Sequence, residues 1–319
     1  MENLIVSSSP HLHTKTTTQT IMRDVLIALS PAAIASVVLF GLKSLLILAI
    51  CIGTCVISEF VFNLIVKKKQ TVSDLSACVT GTLLALSIPA STGVWHCIVG
   101  SVFAIIVVKC LFGGIGCNFA NPAVTARVFL LLAFTSNVAG ATATNFQDAD
   151  FTAGATPLAA IKAGGDIASL PSLLDMLIGN RAGAIGETCA IALILGGIYL
   201  IVRKVINWQS PVIYIGTVFV LSLIIEQSIS LALYQVLGGG LIIAAFFMIT
   251  DYSTTPLNKG GKMVFAFGCA LITVLIRYLG GYPEGVSFAI LLMNILSPYI
   301  EKLCERKPFG REVKKIEKQ

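Results

Sequence analysis

Charged residues are scarce in this chain. Asp, Glu, Lys and Arg make up only 12% of its 319 residues, whereas soluble domains carry about 25%. The polar first twenty residues lack the charged start, short apolar core and cleavage site of a secretory signal peptide. With 56% hydrophobic residues and a mean hydropathy of +0.89, the composition excludes a soluble domain and predicts an all-α integral membrane protein. The modest net charge of +6 lies at segment ends and does not indicate nucleic-acid binding.

The nine cysteines form no disulfide pattern. All but Cys304 lie in or beside apolar stretches, so small apolar packing roles are expected and no metal site is predicted. One alternative stays open, because Cys110 and Cys117 could supply half the ligands of an iron–sulfur centre. His11 and His13 precede the first apolar stretch, where ordinary surface histidines are a simpler interpretation than a metal site.

Long apolar stretches, in contrast, fill most of the chain. Ten membrane spans can be drawn in two groups of five, at 21–43, 44–66, 72–90, 93–112 and 121–137, then at 184–202, 210–226, 230–250, 262–280 and 284–301. This divides the chain into an N-terminal segment, a first bundle, a polar loop, a second bundle and a basic tail, at 1–20, 21–137, 138–183, 184–301 and 302–319.

The distribution of Lys and Arg predicts the orientation in the cell membrane. One side of the drawn topology carries most of the basic residues, namely Lys67, Lys68, Lys69, Arg203, Lys204, Lys259, Lys262 and the tail. By the positive-inside rule, both termini are expected in the cytoplasm and residues 138–183 outside it.

Two pairs of Gly-rich motifs suggest an internal repeat. GTLLALSIPA at 81–90 precedes CLFGGIGCNFANPAVTARVFLL at 110–131, and GGGLIIAAFFMITDY at 238–252 precedes RYLGGYPEGVSFAILLMN at 277–294. The drawn topology places the two Gly-Gly pairs on opposite sides of the membrane. This pattern predicts a five-plus-five inverted repeat, in which broken helices form a site at the repeat interface.

The polar loop contains TAGATPL at 152–158. Thr156 followed by Pro157 predicts a helix that Thr156 caps and that Gly164 ends. Gly154 and Ala155, before the threonine, leave room for a large group to approach. A free hydroxyl at a helix N-terminus could carry a phosphoester, since free N–H groups there favour negative charge.

TAGATPL resembles the flavinylation motif Ser-Gly-Ala-Thr, with Ala153 in place of the serine. Further stretches resemble the same family in the same order, namely SPHLHTKTTTQTIMRDVLIAL (9–29), GTLLALSIPA (81–90), FGGIGCNFANPA (112–123), GAIGET (183–188), FFMITD (246–251) and GGYPEGVSFAILLMN (280–294). The chain is similar to the D subunits of Rnf ferredoxin:NAD oxidoreductase complexes and to the B subunits of sodium-pumping NADH:quinone oxidoreductases.

The resemblance implies two flavins. Thr156 would carry FMN through a phosphoester, flanked by Gly154, Ala155 and Pro157. A second, non-covalent flavin, riboflavin or FMN, would lie near FGGIGCNFANPA, where Asn118 and Asn121 could match the edge of a planar heterocycle. The alternative is that Asn121 only caps the helix that starts at Pro122.

Ionisable residues within or beside the apolar stretches are candidates for an ion path, because charges at membrane depth are costly. They are Glu59, Arg127, Glu187, Glu226, Asp251, Arg277 and Glu284. Glu187, Asp251 and Glu284 lie in the motifs that resemble the family and are the preferred candidates. Interfacial ion pairs without a role in transport are the alternative.

These observations favour a flavin-carrying membrane subunit that transfers electrons but is not catalytic alone. The resemblance implies partner subunits that are membrane-embedded, bear iron–sulfur centres, bind NADH or carry a second covalent flavin. Together they would couple ferredoxin and NAD oxidoreduction to Na⁺ or H⁺ translocation. The rival hypothesis is a passive channel or transporter for a small polar solute, which would need no flavin.

Overall fold

The structure, a computed structural model, describes residues 16–144, 156–164 and 170–304. Within these ranges the secondary structure is helical, and β pairing is confined to one bridge between Thr142 and Gly183. The predicted all-α class is therefore confirmed for the described part of the chain. The N-terminal residues with His11 and His13, the stretch with Gly154 and Ala155, and most of the basic tail lie outside the described residues.

The first half of the chain forms α1 (Thr18–Phe40), α2 (Leu42–Ile65), α3 (Ser76–Ser87), α4 (Val94–Val102, continuing as a π-helix over Phe103–Cys110) and α5 (Pro122–Ala133). Short helices follow: α6 (Thr135–Val138), α7 (Pro157–Lys162) and α8 (Leu173–Ile178). The second half forms α9 (Ala190–Val202), α10 (Gln209–Glu226), α11 (Ile229–Leu237), α12 (Leu241–Ile243, continuing as a π-helix over Ala244–Met248), α13 (Lys259–Leu279) and α14 (Val286–Leu303).

Helices occur at all ten predicted spans, but only some are long enough to cross a bilayer. In the described residues, α1, α2, α10, α13 and α14 have the length and composition of membrane spans. A sixth span results if α11 and α12 are counted together across a bend of 63°. The remaining four apolar segments, α3, α4 with its π-helix, α5 and α9, are shorter.

Several helices are shorter than the membrane spans predicted for them. The span drawn at 72–90 is a 3₁₀ turn at Val72–Asp74 followed by α3, and that at 121–137 divides into α5 and α6. The span drawn at 184–202 begins only at Ala190, and that at 230–250 is broken. Residues 184–188 and 238–240, which lie between helices, are buried, whereas the 3₁₀ turn and most of α6 are exposed or half-buried.

Two of the short helices, α3 and α12, are central, whereas the long helices lie at the periphery. All but one of the twelve residues of α3 are buried, as is every residue of α12 and its π-helix. The long helices expose large apolar side chains, including Ile34, Leu42, Ile65 and Leu279. Such an exposed apolar perimeter is expected of a protein surrounded by lipid.

The start of α1 and the end of α14 lie at the same end of the bundle. Ile21 in the first turn of α1 and Tyr252 line one cavity, and Tyr252 and Glu301 near the end of α14 line another. We call this end of the bundle the terminal end. The opposite end, where α3 and α5 finish and α7 lies, is called the loop end.

Candidate functional sites at the two ends of the bundle

At the loop end, Thr156 lies in the wall of a cavity of about 80 Å³, here called the threonine cavity. The polar and ionisable side chains that line it are those of Arg127, Thr156, Tyr282 and Glu284. They come from α5, the cap of α7 and the segment between α13 and α14. The cavity therefore joins the predicted attachment residue to two ionisable groups that the sequence had only marked as membrane-embedded.

Thr156 is the N-cap of α7, as predicted. Its Oγ1 accepts a hydrogen bond from the backbone N–H of Ala159 at 3.2 Å, and Pro157 occupies the first helical position. The side chain is only 8% exposed, so Thr156 is not on an open surface loop. Its hydroxyl faces protein rather than bulk solvent.

Arg127 forms an ion pair with Glu284 across the threonine cavity. Its Nη2 donates to Glu284 Oε2, and its Nη1 donates to Ser287 Oγ at 3.2 Å. The two charged side chains are 12% and 22% exposed. Arg127 thus links α5 to the start of α14 near the loop end.

The same end contains the break between α11 and α12, at Gly238–Gly240. Gly239 and Gly240 have φ angles of 69° and 66°, a left-handed conformation that glycine adopts without steric cost. The carbonyl groups at the end of α11 point out of the helix and need partners. Two buried arginines, Arg181 and Arg277, supply them.

Arg181 donates to the carbonyl groups of Leu237 and Glu187, both at 2.8 Å. Arg277 donates to the carbonyl group of Gly238 at 3.1 Å and to the side-chain oxygen of Gln235 at 3.2 Å. The guanidinium groups therefore stabilise the interruption electrostatically, since the C-terminal end of a helix favours positive charge.

Glu187 binds a backbone N–H group at the same break. Its Oε1 accepts the backbone N–H of Gly239 at 2.6 Å and lies 4.0 Å from Arg181 Nη2. Its Oε2 is buried and has no hydrogen-bond partner within the described residues. The structure thus brings together two of the three predicted ion-path candidates, Glu187 and Glu284, near the loop end.

The third candidate, Asp251, lies at the terminal end with both predicted amides. It lines a cavity of about 90 Å³ together with Asn118 and Asn121, here called the aspartate cavity. Burial raises the pKa of the Asp251 carboxyl group, whereas hydrogen bonds from Ser253, Thr254 and Asn121 lower it.

Asn121 makes several hydrogen bonds within the protein. Its Oδ1 accepts the backbone N–H groups of Ala123 and Val124, and its Nδ2 donates to Asp251 Oδ2 at 3.1 Å. Asn121 therefore caps α5, and its predicted contact with a flavin stays a prediction. Asn118 differs, because its Oδ1 is buried without a partner among the described residues.

Asn118 also borders a second, larger cavity of about 330 Å³, here called the amide cavity. Its lining carries amides, hydroxyls and two aromatic rings, from Asn118, Asn294, Ser253, Thr254, Thr255, Ser297, Phe119 and Tyr252. Glu301 is the one charged residue among the described residues that line it. The cavity is thus polar, partly aromatic and free of positive charge.

Sequence reasoning missed Lys109. It lies in the π-helix that continues α4, and its Nζ donates to Glu59 Oε2 at 2.8 Å and to Ser76 Oγ at 2.6 Å. Both charged side chains are 2% exposed. The available signal was a lysine inside an apolar stretch, since such a charge needs a buried partner.

The predicted roles of the cysteines can be compared with their positions. Cys110 is buried and Cys117 is exposed, and all nine cysteines, which lie within the described residues, are free thiols. Within the described ranges, no group of three or more His, Cys, Asp and Glu residues is placed to hold a metal ion. The described residues therefore give the iron–sulfur alternative no additional ligand.

The chain is similar to known proteins along almost its whole length. The NQR2, RnfD, RnfE family matches residues 5–310. The chain is 44% identical to the D subunit of the Na⁺-translocating ferredoxin:NAD⁺ oxidoreductase complex of Acetobacterium woodii, with 99% of this chain and 98% of that protein covered.

It is 37% identical to the D subunit of the proton-translocating ferredoxin:NAD⁺ oxidoreductase complex of Clostridium ljungdahlii, with 96% of each chain covered. It is also 35% identical to the D subunit of the ion-translocating oxidoreductase complex of Halorhodospira halophila, with 95% of each covered. These matches extend over both helical halves and both cavity-bearing ends, and the chain therefore belongs to the NQR2, RnfD, RnfE family.

Proposed function

We propose that this chain is the membrane-embedded, flavin-carrying D subunit of an ion-translocating ferredoxin:NAD oxidoreductase complex. The observation that carries the proposal is similarity to such proteins over 96–99% of the chain. That similarity favours a redox protein over a passive channel. The partners are then the other members of the complex: membrane-embedded, iron–sulfur, NADH-binding and second covalent-flavin subunits.

In this proposal the ten apolar helical segments are ten crossings in two inverted groups of five. The packing supports a repeat: α2 contacts α3 and α4, and in the second half α10 contacts α11 and α13. The start of α1, the end of α14 and the basic residues Lys68 and Lys69 lie at the terminal end. The terminal end is therefore assigned to the cytoplasm and the loop end to the outside.

Thr156 is the proposed attachment point of FMN. Its oxygen would bond to the FMN phosphorus, with a phosphoanhydride such as flavin adenine dinucleotide as donor. The P–O–P bond of that donor would break to release AMP, and the hydroxyl proton would leave to solvent. A bound flavin supplies one- and two-electron chemistry, while the protein positions it.

The residues around Thr156 fit the phosphate but not the ring. A water molecule occupies about 10–15 Å³ of such a cavity, so about 80 Å³ accommodates a phosphate group and a few waters. An isoalloxazine ring system is too large for it. Thr156 and Pro157 would therefore hold the phosphate end, with the ring outside the threonine cavity.

The proposed second flavin is assigned to the terminal end, beside Asn118. Its Oδ1, which has no partner among the described residues, can accept a ring N–H, whereas Asn121 already caps α5 and donates to Asp251. The amide cavity, at about 330 Å³, has hydroxyl, amide and aromatic groups but no cation in its described lining. That lining favours an uncharged, riboflavin-like ligand over FMN.

The transported ion is proposed to be Na⁺ or H⁺. The two most similar proteins described above differ in this respect, since one is named Na⁺-translocating and the other proton-translocating. Asp251 at the terminal end and Glu187 and Glu284 near the loop end remain the candidate carboxylates. Their placement towards the two ends of the buried α3 suits an ion path that crosses this chain.

The attachment at Thr156 is tested by in-gel fluorescence. The full chain, expressed in cells that contain a flavin transferase, should give a band that fluoresces under ultraviolet light after denaturing electrophoresis. Thr156→Ala should be inserted at normal level yet dark, because no oxygen remains to bond phosphorus. Thr152→Ala, four residues earlier, should stay bright. A bright Thr156→Ala band would place the linkage elsewhere, and a dark wild-type band would refute the covalent flavin.

A further inference from the structure

We propose that Arg127 binds the phosphodiester that joins FMN to Thr156 and is thus the positioning residue of the covalent flavin. The inference rests on the proposed attachment at Thr156 and names the group that fixes its phosphate. It concerns a side chain on α5, 29 positions before Thr156 in the sequence and at the loop end in the structure.

Arg127 shares the threonine cavity with Thr156 and is the one cation among the described residues that line it. A guanidinium group carries five N–H donors in a planar fork that matches two phosphate oxygens. Ser287 and Glu284 account for two of those donors within the described residues. The remaining donors allow Arg127 to bind a phosphodiester while it keeps its contact with Glu284.

The charges around the helix break also support a phosphate contact of Arg127. Arg127 Nη1 and Glu187 Oε2 lie 3.4 and 3.9 Å from the point that a Cβ on Gly240 would occupy. Arg181 and Arg277 bond the end of α11 from the other side. Arg127 therefore belongs to one electrostatic cluster with the buried groups of the break.

This cluster holds three arginines, Arg127, Arg181 and Arg277, against two glutamates, Glu187 and Glu284. With all five ionised, these described residues together carry one net positive charge. Lys162 lies nearby but is exposed, so water stabilises its charge. Uncompensated charge in a low-dielectric interior is costly, and a phosphodiester, with a single negative charge, would neutralise it.

Phosphorus NMR tests this contact directly. The flavinylated full chain is purified in a phosphorus-free detergent, and the spectrum of Thr156→Ala is subtracted to remove residual lipid signals. The wild-type phosphodiester resonance should differ from that of the flavinyl peptide released from the same sample by protease. Coincident resonances would overturn the proposal.

The variants separate charge from structure. Arg127→Gln combined with Glu284→Gln removes the ion pair as a unit and should move the resonance to the released-peptide position. Glu284→Gln alone should leave the resonance displaced from that position. Arg127→Lys keeps the charge without the fork and should give an intermediate shift even if the double variant does not fold.

Lys162→Gln is the matched control, since Lys162 is a nearby cation whose Nζ donates to the Tyr282 carbonyl at 3.0 Å. A shift in Lys162→Gln with none in the Arg127 variants would assign the phosphate to Lys162 and overturn the proposal. Absence of any wild-type signal beyond that of Thr156→Ala would refute the attachment itself, and with it the role of Arg127. A wild-type resonance that persists unchanged in the Arg127 variants would refute only the role of Arg127.

Discussion

Lys109 and Glu59 show how single residues carry charge into an apolar bundle. Thr71 Oγ1 donates to Glu59 Oε1 at 2.6 Å, while Lys109 Nζ contacts both Glu59 and Ser76. Lys109 borders the aspartate cavity, and Glu59 borders a separate cavity of about 240 Å³ with Lys68. The ion pair therefore separates two cavities at the terminal end. Each charged side chain stabilises the other in its buried position.

Breaking this pair should destabilise the protein. Lys109→Met leaves Glu59 buried without its counter-charge, at a cost of about 3–5 kcal/mol. Lys109→Met with Glu59→Gln removes both charges and should recover much of the loss. The measurement is the melting temperature of the detergent-solubilised chain. Arg203→Gln, which breaks a pair with Asp24 whose arginine is 49% exposed, should cause a smaller decrease. Equal melting of the single and double variants would contradict the pairing.

At the scale of elements, close packing of three helices joins the two halves of the chain. Gly196 of α9 lies against α1, so that a Cβ on it would be 2.1 Å from the carbonyl oxygen of Ala28 and 3.1 Å from Phe247. Only a residue without a Cβ allows α1, α9 and the π-helix after α12 to meet at this point. The contact fixes the second half of the bundle against the first.

Gly196→Ala should lower the stability by about 1–3 kcal/mol, because the added methyl group meets backbone atoms that cannot rotate away. Gly216→Ala in α10 is the control, since a Cβ there meets nothing within 4 Å. The control should stabilise by about 0.5–1 kcal/mol, as expected for replacing glycine in a helix. Thermal denaturation followed by size-exclusion chromatography measures both. If Gly196→Ala melts as the control does, α1 and α9 are not in this contact.

At the scale of the whole molecule, the two candidate flavin regions lie at opposite ends of the buried helix α3. Ser76 at its start borders the aspartate cavity, and Pro89 just beyond its end borders the threonine cavity. At 1.5 Å per residue, the 12 residues of α3 span about 18 Å, less than the ~30 Å of a bilayer core. The short central helices thus reduce the thickness of protein between the proposed flavins.

The orientation of the bundle can be measured with thiol labelling. Ser136→Cys, at an exposed position near the loop end, should react with a membrane-impermeant maleimide in intact cells, because that end is expected outside. Native Cys117, exposed at the terminal end, should react only after lysis, and Cys117→Ser removes its signal. Labelling of Cys117 in intact cells, with Ser136→Cys protected, would reverse the proposed orientation.

The amino-acid sequence alone determined the helical class, the positions of the ten apolar segments and the local caps. Apolar composition suffices for this, because a chain in lipid must satisfy its backbone hydrogen bonds within helices. The caps formed by Asn121 and Thr156 were predictable for a different, local reason. Each of these residues precedes a proline at the first helical position.

The tertiary structure decided what these segments do together. The span drawn at 230–250 breaks because Arg181, Arg277 and Glu187 satisfy the backbone groups freed at Gly238–Gly240, and all three come from other elements. Likewise, Lys109 meets Glu59 across 50 residues of sequence, and Arg127 shares a cavity with Thr156. The periodicity of the sequence does not predict these long-range contacts, because they depend on how the helices pack and on which buried charges lie next to one another.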